Sequence, residues 1–228
     1  MHIIAHRGRS EADHPDNTLA AFMAALDEGA DMVECDVRRL ADGELACFHD
    51  ATIAGHPLSS LSHSELESLA GFAVPRLEEL AQLCREYDAG LDLELKERGC
   101  AGDALSAVNG LAELWVKSFH DDIVCEVLAA QPDAYAGLLL GVQRGGLRLR
   151  FSEFFPVRRL RSCGARFVAP NWRLLRLGFL RRMRKNGFPV LVWTVNDSRQ
   201  AQQLAAAGVV GIATDRPREL RSALEPRA

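Results

Sequence analysis

Long apolar runs are missing from this chain of 228 residues. A bilayer-spanning helix needs roughly 18–20 consecutive apolar positions, so a helical membrane protein is not expected. Paired cysteine motifs are missing as well. Cys35, Cys47, Cys84, Cys100, Cys125 and Cys163 are scattered with no CxxC spacing, which argues against structural zinc and for reduced thiols. No basic excess exists: 27 Lys and Arg stand against 31 Asp and Glu, for a net charge of −4. Nothing global therefore points to a nucleic-acid partner. No Pro/Gly/Ser-rich linker divides the chain, so residues 1–228 read as one domain, 48% hydrophobic and large enough for a full core. An N-terminal signal segment is not expected, because the chain opens on a strand and on residues suited to chemistry. A cytoplasmic location is the corresponding expectation.

What the sequence does hold is alternation. Strand-like segments are expected at His2–His6, Asp31–Val37, Gly90–Leu95, Trp115–Phe119, Ala134–Leu140, Arg166–Ala169, Pro189–Val195 and Val209–Thr214. Helix-period stretches lie between them: Thr18–Glu28, Leu77–Tyr87, Ala101–Leu114, Ile123–Ala130, Phe155–Ser162, Leu174–Asn186 and Ser198–Ala206, with Arg218–Leu224 closing the chain. Eight such β-then-α units predict a (β/α)₈ TIM barrel; an open doubly wound sheet is the alternative. Asp42-Gly43 interrupts the rhythm as a hairpin turn signal. The second strand is expected to overrun the rim, turn there, and return through Leu45–Phe48, delivering His49-Asp50 to the strand ends. Only 43 residues separate Asp50 from Glu94, too few for an inserted cap domain.

Chemistry-bearing residues sit where those strands end. His6-Arg7-Gly8 follows the apolar Ile3-Ile4-Ala5, and Gly8 is expected to leave room for a substrate where a side chain would block it. Glu34 and Asp36, one residue apart on the second strand, point to one face, which near the top of a barrel is the pocket. Two carboxylates so placed repel each other and lose solvation. A hard divalent cation relieves both penalties; pairing with Arg or Lys across the barrel is the other solution. Leu91-Asp92-Leu93-Glu94-Leu95-Lys96 carries charge at every second position. Glu94 lies at the level of Glu34 and Asp36, Lys96 can meet a phosphate oxygen, and Asp92 sits deeper as an internal hydrogen-bonding group. An edge strand with one solvated face is the bland reading of that segment. Three carboxylates, two histidines and two cations at strand ends suit phosphoryl chemistry. The metal and cations neutralise the phosphate while His6 and His49 serve as acid and base.

The segments His6-Arg7-Gly8, Asp16–Phe22, Gly29–Val37, Asp42-Gly43 and His49-Asp50, continued by Leu93–Lys96, Ser118-Phe119, Trp193–Asn196 and Gly211–Pro217, resemble the glycerophosphodiester phosphodiesterases along essentially the whole chain. The resemblance implies a TIM barrel holding Mg²⁺ or Ca²⁺ on Glu34, Asp36 and Glu94. It makes His6 and His49 the acid/base pair and Arg7 and Lys96 the phosphate contacts, with Trp193 walling the pocket. It implies a small-molecule glycerophosphodiester as substrate. Attack of the glycerol 2-hydroxyl on phosphorus, followed by hydrolysis of a cyclic phosphate, is the favoured route; direct attack by water is the other. The family pattern has Glu where this chain has Asp16, and a longer Thr- and Arg-rich stretch where it has Ala51–Gly55, so a shallower, more open pocket is expected. Lysophospholipase D or sphingomyelinase D activity would need room for an acyl chain. A non-catalytic phosphodiester-binding barrel would be expected to have lost one of the five acid/base and metal positions.

Arg173, Arg176, Arg181, Arg182, Arg184 and Lys185 crowd one amphipathic segment, read as an outer barrel helix with a solvated basic face rather than a membrane contact. Val142–Phe154, with Arg144, Arg148 and Arg150, reads as a surface loop. Asn171 and Trp172 follow the sixth strand and are candidates to line the site.

Overall fold

A computed structural model describes residues 1–9, 14–141 and 147–225. Its strands are β1 (His2–His6), β2 (Met32–Arg39), β3 (Leu45–Cys47), β4 (Thr52–Ile53), β5 (His56–Pro57), β6 (Gly90–Leu95), β7 (Leu114–Ser118), β8 (Tyr135–Leu140), β9 (Phe167–Pro170), β10 (Leu191–Val192) and β11 (Gly211–Thr214). Eight of them pair in the order β10-β11-β1-β2-β6-β7-β8-β9, all parallel. Single parallel bridges, Val168 to Val190 and Asn171 to Trp193, return the last strand to the first. With helices in the connections, this is the (β/α)₈ barrel that the alternation predicts.

Side-chain alternation divides each strand between two cores. Ile3, Val33, Leu93, Val116, Leu138 and Ile212 point outward into the layer shared with the helices. Ile4, Met32, Trp115, Phe167, Leu191 and Ala213 fill the lower interior of the barrel. Phe167 occupies the space where a Cβ on Gly137 would lie, at 2.4 Å from its ring, so a large residue on one strand is fitted by none on the next. Above this apolar layer the inward positions turn polar: His6, Glu34, Asp92, Glu94 and Lys117.

The Asp42-Gly43 turn forms. β3 pairs antiparallel with β2 in the register Val37–Cys47 and Arg39–Leu45. Between Asp50 and β6 lie the small β4–β5 hairpin and helices His63–Ala70 and Leu77–Glu86, with no inserted cap domain. Leu40, Ala46, Leu58, Leu66 and Val74 form a separate small core there.

Several helices differ from expectation. The helix at Ala101 stops at Ala107, ahead of an Asn109-Gly110 turn. The segment Leu174–Asn186 is broken: a 3₁₀ turn covers Trp172–Leu174, Leu177 takes a left-handed φ of 53°, and the helix runs Phe179–Lys185. The loop expected across Val142–Phe154 is helical from Leu147 to Phe154; residues 142–146 lie outside the described residues, and Arg144 with them. No helix among the described residues is long and apolar enough to cross a membrane.

Gly8 has φ +83°, and a Cβ there would lie 2.6 Å from the backbone carbon of Ala21. The glycine lets the end of β1 touch the helix Leu19–Asp27. Gly8→Ala is expected to cost more than about 2 kcal/mol in urea unfolding, because it combines backbone strain with a clash against main chain. Gly43→Ala, with φ +89° and open space around it, bears only the backbone cost of about 1 kcal/mol. Equal losses for the two variants would disprove the close-packing account.

Candidate active site

The C-terminal ends of the barrel strands enclose a cavity of about 430 Å³ lined by His6, Arg7, Glu34, His49, Glu94, Lys96 and Lys117 on one side and by Phe119, His120 and Trp193 on the other. Strand pairing sets the acidic cluster. His6 lies in register with Glu34, Glu34 with Asp92, Asp36 with Glu94, and Glu94 with Lys117. Glu34, Asp36 and Glu94 are all buried, and each offers a carboxylate oxygen within 4.8 Å of the others.

Cations surround these acids. Arg7, in a left-handed conformation with φ 59°, places Nε 2.9 Å from Asp36 Oδ2. Its backbone N–H donates to Glu34 Oε2 at 3.1 Å. Lys96 Nζ lies 2.7 Å from Asp36 Oδ1 and also meets Glu94. Asp36 is clamped from a third side by Asn17, which donates to Oδ2 at 3.1 Å and accepts from the Asp36 N–H at 3.2 Å. Asn17 too is left-handed, with φ 60°, the conformation that Asn adopts more readily than most residues. Burial alone would raise the Asp36 pKa, but Lys96 and Arg7 hold it well below the usual carboxylate range. Glu94 goes the other way: burial pushes it up to about 7, only partly opposed by Lys96.

Lys117 is a cavity-lining residue that sequence reasoning missed. It is 4% exposed on β7, pairs with Asp92, and holds Nζ 3.2 Å from Glu34 Oε1. Burial works against its charge, yet Asp92 and Glu34 raise its pKa above the ordinary lysine value. Asp92, expected as an internal hydrogen-bonding group, is an ion-pair partner. The available signal was a lone cation at an inward position between Trp115 and Phe119. Pairing with cations, the alternative to a metal in the sequence reading, is thus realised in part.

Four carboxylates, Glu34, Asp36, Asp92 and Glu94, nevertheless face three cations, Arg7, Lys96 and Lys117. One excess negative charge, close hard-oxygen donors and a Glu94 pKa raised by uncompensated burial fit a divalent cation. A divalent ion and a phosphodiester monoanion together would leave the site neutral.

Both histidines are oriented by carboxylates. His6 Nδ1 lies 2.8 Å from Asp215 Oδ1, and Asp215 Oδ2 accepts from Asn196 Nδ2 at 2.6 Å. Asn196 Oδ1 in turn accepts from the Asp215 N–H at 2.9 Å. Burial would lower the His6 pKa, but the bond to Asp215 and the charge of Glu34 raise it above 6.5. His49 arrives on the hairpin return, anchored by Phe48 N–H to Asp36 O at 2.9 Å and by Arg38 Nε to His49 O at 2.9 Å. Its Nδ1 lies 2.7 Å from Asp50 Oδ1.

Trp193 packs edge-on against Phe119 and donates Nε1–H to Ala169 O at 2.8 Å. Asp16 reaches Arg7 Nη1 only at 3.5 Å. Gly8 does not face the cavity: its Cα is turned against Ala21, so the reading that it leaves room for substrate gives way to one of helix packing.

The family model described as the glycerophosphoryl diester phosphodiesterase family matches residues 6–219. The glycerophosphodiester phosphodiesterase of Caldanaerobacter subterraneus is 27% identical over an alignment spanning 96% of this chain and 95% of that protein. The crystal structure of the Thermotoga maritima glycerophosphodiester phosphodiesterase superposes with a TM-score of 0.80 at 26% identity, over 96% of both chains. An Oleispira antarctica phosphodiesterase, solved in complex with the product sn-glycerol-3-phosphate, shares the fold with a TM-score of 0.82 at 23% identity, over 99% of this chain and 97% of that one.

The buried pair under the site generates a stability test. Lys117→Met leaves the buried Asp92 without its cation, so that it must take up a proton or stand as an unpaired charge, and is expected to cost about 3–5 kcal/mol. Asp92→Leu combined with Lys117→Met should recover most of that loss in urea unfolding. A double variant as unstable as the single one would show that the pairing is not what Lys117 supplies.

Proposed function

The chain belongs to the glycerophosphoryl diester phosphodiesterase family and is an enzyme of that class, and from that premise we propose a metal-dependent hydrolysis of glycerophosphodiesters to sn-glycerol 3-phosphate and an alcohol. The observation that carries the reading is the meeting of His6, His49, Arg7, Lys96, Glu34 and Glu94 around one cavity, with Asp36 buried beside the two glutamates. The product bound by the Oleispira antarctica phosphodiesterase supports the substrate class.

Glu34, Asp36 and Glu94 would hold one divalent cation, Mg²⁺ or Ca²⁺. When bound, that ion supplies positive charge to the phosphoryl oxygens as charge develops there. Arg7 and Lys96 bind the same oxygens and fix the diester against the barrel mouth. His49, with Nδ1–H directed to Asp50, presents a free Nε2 that takes the proton of the glycerol 2-hydroxyl as its oxygen bonds to phosphorus. His6, kept protonated by Asp215, gives its Nε2 proton to the departing alcohol oxygen as the phosphorus–oxygen bond breaks. Water then opens the cyclic phosphate with the two histidines in exchanged roles, yielding glycerol 3-phosphate. Trp193 and Phe119 form the apolar wall beside the glycerol and exclude bulk water from that side.

Purified protein with Mg²⁺ or Ca²⁺ is expected to release glycerol 3-phosphate from glycerophosphocholine or glycerophosphoethanolamine, and chelation should abolish the release. No product with either ion across several headgroups would sink the reading. His6→Ala and His49→Ala should each lower kcat by about 10²–10⁴; near wild-type rates would remove that histidine from the mechanism.

A protonated His6 makes the rate fall as pH rises through its raised pKa. Asp215→Asn takes away the carboxylate that raises it, so the descending limb of the kcat profile should move to lower pH. A uniform drop in rate with an unmoved limb would make Asp215 a merely structural residue.

A further inference from the structure

Basic charge is concentrated in one stretch. Residues 147–185 hold twelve of the 27 Lys and Arg and one of the 31 Asp and Glu. Of the ten basic residues between 158 and 185, Arg159 alone is ion-paired among the described residues, to Asp121. Arg158, Arg173, Arg176 and Arg181 are exposed.

The same stretch exposes three large apolar side chains: Phe151 at 66%, Phe155 at 40% and Leu177 at 71%. Such residues scattered singly are ordinary on a protein surface, but these are gathered. The rings of Phe151 and Phe155 lie 4.8 Å apart. The Arg182 guanidinium sits 4.3 Å over the Phe155 ring and donates to Phe154 O at 2.7 Å and to Leu177 O at 3.2 Å. One arginine therefore ties the Leu177 turn to the phenylalanine pair.

The patch stands on the rim that carries the site. Helix Leu147–Phe154 follows β8, and the turn holding Leu177 follows β9, so both leave the C-terminal ends of barrel strands. Gly141, which lines the cavity, donates its N–H to Glu153 of that helix at 3.0 Å. Cavity mouth and patch are neighbours.

We propose that this rim patch docks the enzyme on an anionic phospholipid surface. Phe151, Phe155 and Leu177 enter the boundary between headgroups and acyl chains, and Arg158, Arg173, Arg176 and Arg181 meet lipid phosphates. The remaining chain carries an acidic excess, so a negative surface attracts this face and repels the others. A nucleic acid fits less well, because Leu177, the most exposed of these three side chains, offers no ring on which a base can stack.

The test is flotation of the full chain with vesicles of equimolar phosphatidylglycerol and phosphatidylcholine, against vesicles of phosphatidylcholine alone. Binding is expected to the anionic vesicles only, weakening as salt rises. Phe151→Ser combined with Leu177→Ser should lower partitioning about tenfold or more. Arg173→Gln combined with Arg176→Gln should do the same, at roughly fivefold per arginine. Both variants should keep the wild-type Tm and the wild-type rate on soluble glycerophosphocholine. Absence of binding to anionic vesicles, or equal partitioning of wild type and both variants, would overturn the proposal. So would binding to single-stranded DNA, with the same variant sensitivity and none to vesicles. Flotation involves no turnover, so its failure would leave the catalytic reading untouched, and the reverse also holds.

Discussion

Four carboxylates buried at the mouth of a barrel impose the constraint around which this molecule is arranged. Each would lose several kcal/mol of hydration without compensation. Arg7, Lys96 and Lys117 supply the opposing charge, from three different strand ends. Their placement depends on register, since a one-residue slip would turn every one of these side chains into the outer apolar layer. The left-handed turns at Arg7 and Asn17 then bring a guanidinium and an amide onto Asp36. Compensation stops one charge short, and that shortfall suits the cluster to the divalent ion proposed for it.

The same alternation separates structure from chemistry. In the lower barrel, inward positions are Ile4, Met32, Trp115 and Phe167, whose packing stabilises the closed sheet. Two residues further along three of these strands the inward positions are His6, Glu34 and Lys117. The apolar layer is the floor of the site: it keeps water away from beneath Asp92 and Lys117 and sharpens every electrostatic interaction above it. Rigid strands thereby hold the acids and cations, while the two histidines enter from strand β1 and from a hairpin that has its own small core. Each histidine presents a carboxylate partner on Nδ1, which leaves Nε2 as the atom available for proton transfer.

Everything proposed to meet substrate or surface leaves the barrel at one end. The strand ends carry the cavity, and the segments after β8 and β9 carry exposed aromatic and aliphatic groups beside the exposed Arg158, Arg173, Arg176 and Arg181. The opposite composition elsewhere, with most of the acidic residues outside 147–185, gives the molecule a polarity that its small net charge conceals.

Much of this was legible in the chain. The alternation of apolar strands with helix-period segments predicted the barrel, with an open doubly wound sheet as the alternative. Asp42-Gly43 determined the hairpin, and the spacing of Glu34, Asp36, Glu94 and Lys96 determined that they share the pocket face, because strand periodicity is local. What only the tertiary structure decided are relations across the barrel. Lys117 under Glu34, Asp215 and Asn196 behind His6, and Asn17 on Asp36 join residues up to 209 positions apart, and no local period reports such partners. Gly8 was misread for the same reason: its neighbour is the helix backbone at Ala21, a contact set by packing. The break at Leu177-Gly178 escaped the helical period of Leu174–Asn186, and with it the exposure of Leu177 beside Phe151 and Phe155. Local sequence determines which elements form and which face each residue takes; close packing determines which faces meet.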